Sequence, residues 1–360
     1  MNIQLSDHFN YKKLFLFTLP SVVMMVFTSV YCVVDGFFVS NFAGKTAFAA
    51  INLIMPFIMI LGGIGFMIGT GGSALVSYTL GTGDKEKANR YFSMMVYFTI
   101  LAGILLTVLG IIFVRPMAEL FGADESMMDT CVLYGRIVIA FNAAFMLQNI
   151  FQSFFVVAEK PRLGLIVTIA AGVTNMVLDA LFVGVFKWGI VGAALATGIS
   201  QSIGGLLPLL YFALPNNSPL QLTRTGFELA PLLKASSNGC SELMSNVASS
   251  LIGIVYNYQL MRLGGENAVA TYGVLMYIQF VFIAIFIGYS VGSAPIIGYH
   301  YGAGNFKELQ NMRRKSLKIM SISGVLMAIL GFTLAPVISA IFVGYDAELL
   351  SMTCLLYTSP

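Results

Sequence analysis

Long apolar runs separated by short polar connections recur along almost the whole chain. A helix needs about 20 apolar residues to cross the roughly 30 Å hydrocarbon core of a bilayer, and these runs are long enough. We predict nine complete membrane spans and the start of a tenth. The predicted spans are residues 14–39, 47–80, 92–114, 133–158, 163–186, 189–212, 231–261, 268–300 and 317–343.

The overall composition agrees with this pattern. Of the 360 residues, 58% are hydrophobic and only 10% are charged, whereas a soluble domain has about 25% charged residues. The first apolar run is too long for a cleavable signal and lacks a small-residue cleavage site, so we expect it to stay in the membrane. Cys32, Cys131, Cys240 and Cys354 lack metal-binding spacing and are interpreted as small hydrophobic residues.

The basic residues predict an orientation. With a cytoplasmic N-terminus, all but five of the 19 basic residues fall in cytoplasmic connections, as the positive-inside rule requires. The charge is therefore a topology signal, and no nucleic-acid site is expected. We predict a multi-pass protein of the plasma or inner membrane. The five exceptions are Lys45, Arg115, Arg136, Lys187 and Arg262.

The chain contains an internal repeat. Gly81-Thr82-Gly83-Asp84 recurs as Gly302-Ala303-Gly304-Asn305, an interval of 221 positions, and the residues around Lys45 recur around Glu266 at the same interval. Thr130–Tyr134 reappears as Thr353–Tyr357. These Gly-x-Gly elements follow apolar runs instead of a strand, so tight turns between helices are favoured over dinucleotide loops.

Six spans per copy is an even number, so both copies begin on the same side of the membrane. We predict an all-α, two-lobe, twelve-helix transporter fold with parallel six-helix repeats, of which this chain holds about nine to ten helices and lacks most of the last three. The expected N-lobe is residues 1–214, the cytoplasmic linker 215–230, and the partial C-lobe 231–360.

Carboxylates inside the membrane are functional candidates, because an ionised one costs at least about 2.5–3.5 kcal/mol there. Asp35, Asn175, Asp179 and Thr197 fall at a similar depth, roughly 8 to 16 Å below the outer surface. Their hard oxygen ligands suit a small cation such as Na⁺, and two close carboxylates equally suit a proton carrier. The structural alternatives are a capped broken helix and a headgroup position.

Three further polar residues are candidates for lining a cavity. Glu242 follows a polar Ser-Ser-Asn-Gly-Cys-Ser run that is unsuited to lipid contact. Gln148 and Gln152 share one helix face and could contact a substrate or bond neighbouring helices. Abundant aromatic residues and 20 methionines would suit varied lipophilic cations, although most are expected to pack or face lipid.

Several of these patterns together resemble the multidrug and toxic compound extrusion (MATE) family over the whole chain. They are Leu19-Pro20 through Val34-Asp35-Gly36, the Asn175-x-x-x-Asp179 pair, the Gly-x-Gly turn and the run ending at Glu242. The resemblance implies a two-lobe exporter with a cation or proton site at Asp35, Asn175, Asp179 and Thr197. It also implies that Tyr31 adjoins the drug cavity and that Glu242 is the C-lobe carboxylate. A further acidic position of the family, in helix ten, has no counterpart here.

We therefore expect a Na⁺- or H⁺-coupled antiporter of organic, often cationic, compounds, monomeric and without a cofactor. The alternative is a lipid-linked precursor flippase of similar architecture, which would need more basic residues within the membrane. An intramembrane enzyme is not expected, because His8 and His300 are poorly placed for catalysis.

Overall fold

The computed structural model describes residues 3–43, 45–123 and 125–343, and this part of the chain is helical without strands. The predicted start of a tenth span and the second copy of the Thr130–Tyr134 motif lie outside the described residues. The helices are α1 (Tyr11–Phe38), α2 (Lys45–Gly81), α3 (Lys85–Leu120), α4 (Glu125–Ala140), α5 (Asn142–Val157), α6 (Pro161–Asp179), α7 (Gly189–Ala213), α8 (Leu229–Gly302) and α9 (Phe306–Val343).

Six helical segments in the described part are long and apolar enough to cross a membrane. The helices α4 and α5 pass the same test only when taken together, and they are bent by 54° relative to each other. Short π-helical segments extend two of the spans, Val39–Ala43 after α1 and Ala180–Val185 after α6. The remaining predicted spans fall on the first part of α8 and on α9.

α8 is not a straight rod. Gly71 of α2 lies against Ala235, and Gly81 of α2 lies against Tyr299. The two glycines are about 15 Å apart along α2, whereas a straight helix from 235 to 299 would extend for about 96 Å. The helical backbone therefore reverses between these contacts and forms two arms, which account for the predicted spans 231–261 and 268–300.

The packing of α2 on the second arm of α8 is symmetric. Gly81 lies against the backbone of Tyr299, and Gly302 lies against the backbone of Tyr78. Adding 221 positions to Tyr78 and Gly81 gives Tyr299 and Gly302, so each contact is the image of the other. This is the arrangement expected of parallel repeats related by an axis along the membrane normal.

A second pair of contacts obeys the same interval. A Cβ placed on Gly292 of α8 would lie 3.1 Å from the Cα of Thr18 in α1. A Cβ placed on Gly71 of α2 would lie 2.7 Å from the backbone nitrogen of Gly239. Gly292 and Gly239 are the positions 221 residues after Gly71 and Thr18. Small residues thus let the backbones of the two lobes approach closely, as in other membrane helix pairs. The division at residues 214 and 231 stays a prediction.

These contacts lie near one side of the membrane, which we call the basic face. It carries the turns at residues 82–84 and 303–305, the loop at 158–160 and the segment 214–228. That last segment runs along α3, where the Thr223 N–H donates to the Ser93 Oγ at 2.8 Å. The lobes are therefore joined at the basic face.

The close approach at Gly81 predicts a selective effect of substitution. In Gly81→Ala, the new Cβ would overlap the Tyr299 carbonyl, and such overpacking costs about 1–3 kcal/mol. This exceeds the gain of about 1 kcal/mol that alanine has over glycine in a helix. We expect a lower unfolding midpoint in thermal unfolding of the purified protein.

Gly324→Ala in α9 is the matched control, because nothing lies within 4 Å of a Cβ added at this glycine. It should leave the unfolding midpoint unchanged or raise it. Equal midpoints for Gly81→Ala and Gly324→Ala would contradict the close packing of α2 on α8.

Candidate functional site

The site is built around two acidic residues in the N-terminal half of the fold. Asp35 of α1 and Asp179 of α6 lie within hydrogen-bonding reach of each other's side chains. Asp179 is fully buried, and neither of its carboxylate oxygens has a partner that can donate a hydrogen bond. Two ionised carboxylates repel each other, so this carboxylate pair needs a shared proton or a bound cation.

Local helix geometry presents both carboxylates. Asp179 is the last residue of α6 and immediately precedes the π-helical segment Ala180–Val185. Asp35 lies one turn before the other π-helical segment, Val39–Ala43, whose first N–H bonds to the Asp35 and Gly36 carbonyls. π-Helical turns are rare and are frequently found at functional sites.

Asn175 of α6 and Thr197 of α7 carry further buried oxygen atoms. Asn175 lies one helical turn before Asp179 on the same face of α6, and it is 2% exposed. Its Oδ1 and the Thr197 Oγ1 are buried without a hydrogen-bond partner. Buried polar atoms are rarely left unsatisfied. The four residues named from the sequence thus share buried oxygen atoms that lack donors.

Tyr134 of α4 is a site residue that the sequence reasoning missed. It is 1% exposed, and it is close enough to Asp35 and Asp179 to interact electrostatically with both. Its hydroxyl can donate a hydrogen bond to a carboxylate. The signal that could have found it is the repeated Thr130–Tyr134 motif, in which the tyrosine is retained in both copies.

Tyr31 and Gln148 connect α1 to the interior of the N-terminal half. The Tyr31 side chain lies within hydrogen-bonding reach of the Gln148 side chain, one turn below Asp35. Gln148 also packs against Gly204 of α7, and a Cβ added to that glycine would lie 2.7 Å from the Gln148 Cδ. Gln148 and Gln152 are each 5% exposed, and their amide oxygens have no donor. They lie between helices, a position that suits both a hydrogen bond to a neighbouring helix and a contact with a substrate.

Glu242 lies apart from the carboxylate pair. Its repeat equivalent is Ser21, which is fourteen positions before Asp35 and therefore about 21 Å from it along the membrane normal. Its neighbour Leu243 packs against Gly63 of α2, at 3.2 Å from an ideal Cβ. Glu242 is partly exposed on the first arm of α8. The structure thus brings Asp35 and Asp179 together with Asn175 one turn away on α6, whereas Glu242 lies apart from them, and the assignment of Thr197 and Glu242 to a site stays a prediction.

The donor set fits an alkali cation or a proton. Carboxylate, amide and hydroxyl oxygens are the hard ligands that small cations without directional bonding prefer. In the described part of the chain, no three His, Cys, Asp or Glu side chains converge on one point. The arrangement can therefore bind a monovalent positive charge.

Comparison with known proteins agrees with this geometry. The family model MatE matches residues 20–181 and 243–356. The chain belongs to the MatE family. The multidrug export protein MepA of Staphylococcus saprophyticus is 25% identical to this MatE protein over 346 residues, which cover 95% of this chain and 75% of that protein. MepA of Staphylococcus haemolyticus is 24% identical over 315 residues, covering 87% and 68%.

Solved MATE structures share the fold. An outward-facing multidrug resistance MATE family transporter of the MOP superfamily superposes with a TM-score of 0.91 at 20% identity, covering 99% of this MatE chain and 79% of that chain. A MOP superfamily transporter from Pyrococcus furiosus gives a TM-score of 0.88 at 20% identity, covering 97% and 78%. The predicted all-α, two-lobe transporter fold is thereby confirmed, and this MatE protein is a multi-pass membrane transporter.

The unpaired carboxylates predict a stability effect. Asp179→Asn removes a buried charge that lacks a donor, and such a group costs about 1–3 kcal/mol or more. We expect the variant to unfold at a higher temperature than the unsubstituted protein at pH 8 in choline chloride, where no small cation is supplied.

Asp129→Asn, at an exposed position of α4, should change the unfolding free energy by less than about 0.5 kcal/mol. A midpoint for Asp179→Asn at or below that of the unsubstituted protein would contradict the interpretation of an uncompensated carboxylate.

Proposed function

We propose that this MatE protein is an antiporter that exports organic, often cationic, compounds by alternating access, in exchange for Na⁺ or H⁺. The observation that carries the proposal is the carboxylate pair, which lies inside a membrane-spanning bundle and has no donor of its own. Relatives named as multidrug export proteins support the substrate class.

The coupling follows from competition for negative charge. A Na⁺ ion between Asp35 and Asp179, or a proton on one of them, neutralises the pair and weakens its attraction for a positively charged substrate. Linkage then requires each ligand to lower the affinity of the other by the same factor. Asn175 and Thr197 would complete the oxygen shell of a bound Na⁺. Tyr31, Gln148 and Gln152 would contact the substrate from the neighbouring helices.

The orientation of the protein completes the proposal. The basic connections lie on the side where the lobes touch, and the positive-inside rule assigns that side to the cytoplasm. The N-terminus, which precedes α1, would then be cytoplasmic, and the plasma or inner membrane would be its location. In this orientation the structure corresponds to a state that is closed toward the cytoplasm. We propose that the protein works as a monomer.

A flippase for lipid-linked precursors would require basic side chains around the transport path. The charged residues of the described site are carboxylates instead, so the flippase alternative has no observation in its favour.

Efflux of the fluorescent cation ethidium from proteoliposomes or cells tests the proposal. An imposed Na⁺ gradient at constant pH, or a pH gradient without Na⁺, should accelerate efflux, and the effective gradient identifies the coupling ion. Asp35→Asn and Asp179→Asn should each lower the gradient-driven rate at least tenfold while inserting normally, because the cation site loses a charge.

Asp129→Asn should transport at the unsubstituted rate, since this aspartate is exposed on α4. If both Asp35→Asn and Asp179→Asn retained full gradient-driven efflux, the carboxylate pair would not be the coupling site.

A further inference from the structure

The residues that precede α1 form a second unusual feature. Residues 3–10, which we call the N-terminal strap, lie across the basic face. Leu5 and Phe9 of the strap are 1% and 0% exposed. They join a hydrophobic cluster that contains Leu14 of α1, Val291 of α8 and Met312 of α9. The strap is therefore packed as part of the interior, although it is non-helical chain with a turn at residues 5–7 and lies at a membrane surface.

The strap is bonded to both lobes. On the N-lobe side, the Leu5 N–H donates to Glu159 Oε1 at 2.7 Å. On the C-lobe side, the Phe9 N–H donates to Glu308 Oε1 at 3.0 Å, and the Phe9 carbonyl accepts from Asn311 Nδ2 at 3.0 Å and from Lys315 Nζ. Both backbone polar groups of Phe9, its N–H and its carbonyl, are thus bonded to side chains of α9.

Glu308 is the centre of this arrangement. Its carboxylate is 5% exposed overall and also bonds His8 Nδ1 and Asn311 Nδ2, each at 2.7 Å. Burial acts to raise the pKa of the Glu308 carboxyl, but the bonds from Phe9, Asn311 and His8 outweigh it, so the pKa is lowered. The carboxylate is therefore ionised at neutral pH, where its hydrogen bonds are charge-assisted and strong.

The N-lobe anchor is held in an uncommon conformation. Glu159 has φ 58°, in the left-handed region that residues other than glycine seldom adopt. It lies in the short connection between α5 and α6, and its side chain points at the strap to accept the Leu5 N–H. Burial raises the pKa of the Glu159 carboxyl, an effect that the Leu5 bond opposes.

From this geometry we infer that the N-terminal strap is a latch of the transport cycle, in which Glu308 holds the Phe9 peptide and keeps the lobes closed at the basic face. The inference rests on the proposed alternating access. Opening the basic face would separate the start of α1 from the start of α9, and this separation breaks the bonds between Phe9 and Glu308, Asn311 and Lys315. Glu308 is thus a positioning residue for the closed state, and it does not touch the transported compound.

A distance measurement across the basic face tests the latch without requiring transport. Spin labels at Glu86→Cys and Lys307→Cys, in a chain whose four native cysteines are replaced, report the separation of two exposed, repeat-equivalent positions on opposite lobes. We expect one short distance with Glu308 in place. Glu308→Gln, and separately Lys315→Gln, should increase the fraction with a longer distance at least threefold.

Asp7→Asn is the matched control in the same segment. Its carboxylate pairs with Lys13 at 3.2 Å, so this pair lies on one side of the lobe interface and its loss should leave the distance distribution unchanged. An unchanged distribution in both Glu308→Gln and Lys315→Gln would overturn the latch, even if ion-coupled efflux is intact. A lengthened distribution would support it even if efflux proved not to be coupled to Na⁺ or H⁺.

Amide hydrogen exchange distinguishes a latch role of Glu308 from a general stabilising role. This measurement uses the chain with its native cysteines. In Glu308→Gln, amide exchange should rise about tenfold or more in the strap and at the start of α9, and stay unchanged in α3 and α5. A comparable rise throughout both lobes would show that Glu308 stabilises the whole fold, and the latch would be rejected.

Discussion

The contact between the Asp35 and Asp179 side chains constrains the rest of the N-terminal half. In hydrocarbon every backbone polar group must be bonded internally, and helices meet that demand, but Asp35 Oδ1 and both carboxylate oxygens of Asp179 have no hydrogen-bond partner. The α1–α6 packing therefore holds two carboxyl groups together at a free-energy cost that a proton or a cation would reduce. The antiport proposed above uses this cost, because each change of occupant changes the charge of the pair.

The lobe interface has the opposite chemistry. There Gly81, Gly302 and their neighbours bring helix backbones into contact, and around them Tyr78 lies against Tyr301 and beneath the Lys234 ammonium. Ser77 lies against Gly298, the residue that corresponds to it in the second repeat, so the symmetry axis passes between these two residues. Contacts close to the axis resist a rotation of the lobes only weakly, because such a rotation displaces atoms near the axis least. The basic face consequently needs separate interactions to hold it closed.

Hydropathy and repeat spacing predicted much of this architecture. The nine predicted spans correspond to helical segments, and the interval of 221 positions reappears as paired contacts between α1, α2 and α8. The predicted site residues Asp35, Asn175, Asp179 and Thr197 could be named because carboxylates are rare in apolar runs and because depth follows from helix rise. Their assignment as an ion site stays a prediction.

Other features depend on tertiary contacts that local sequence does not encode. The 54° bend between α4 and α5 occurs at Phe141, without a proline or glycine in its immediate neighbourhood to signal it. Tyr134 looked like one more aromatic residue until α4 packed beside the carboxylate pair. Glu308 lies in a basic, exposed-looking stretch, and its burial depends on a strap that is 299 positions away in the sequence.

α1 connects the two charged features of the molecule. Asp35 lies near one end of it, and the strap enters the other end through Asn10, whose side chain caps the helix by accepting the Lys13 N–H at 2.8 Å. Between them, Pro20 cannot donate the backbone hydrogen bond that an ordinary residue would. The segment before Pro20 packs against α8 and α9, contact with α8 continues to Val22, and Phe27 and Tyr31 further along pack against α6. Because proline weakens a helix at one point, the two segments can tilt separately. A change of charge at Asp35 would then reach the basic face through the tilt of α1, and the Phe9–Glu308 bond is the interaction at that face which such a tilt would strain first.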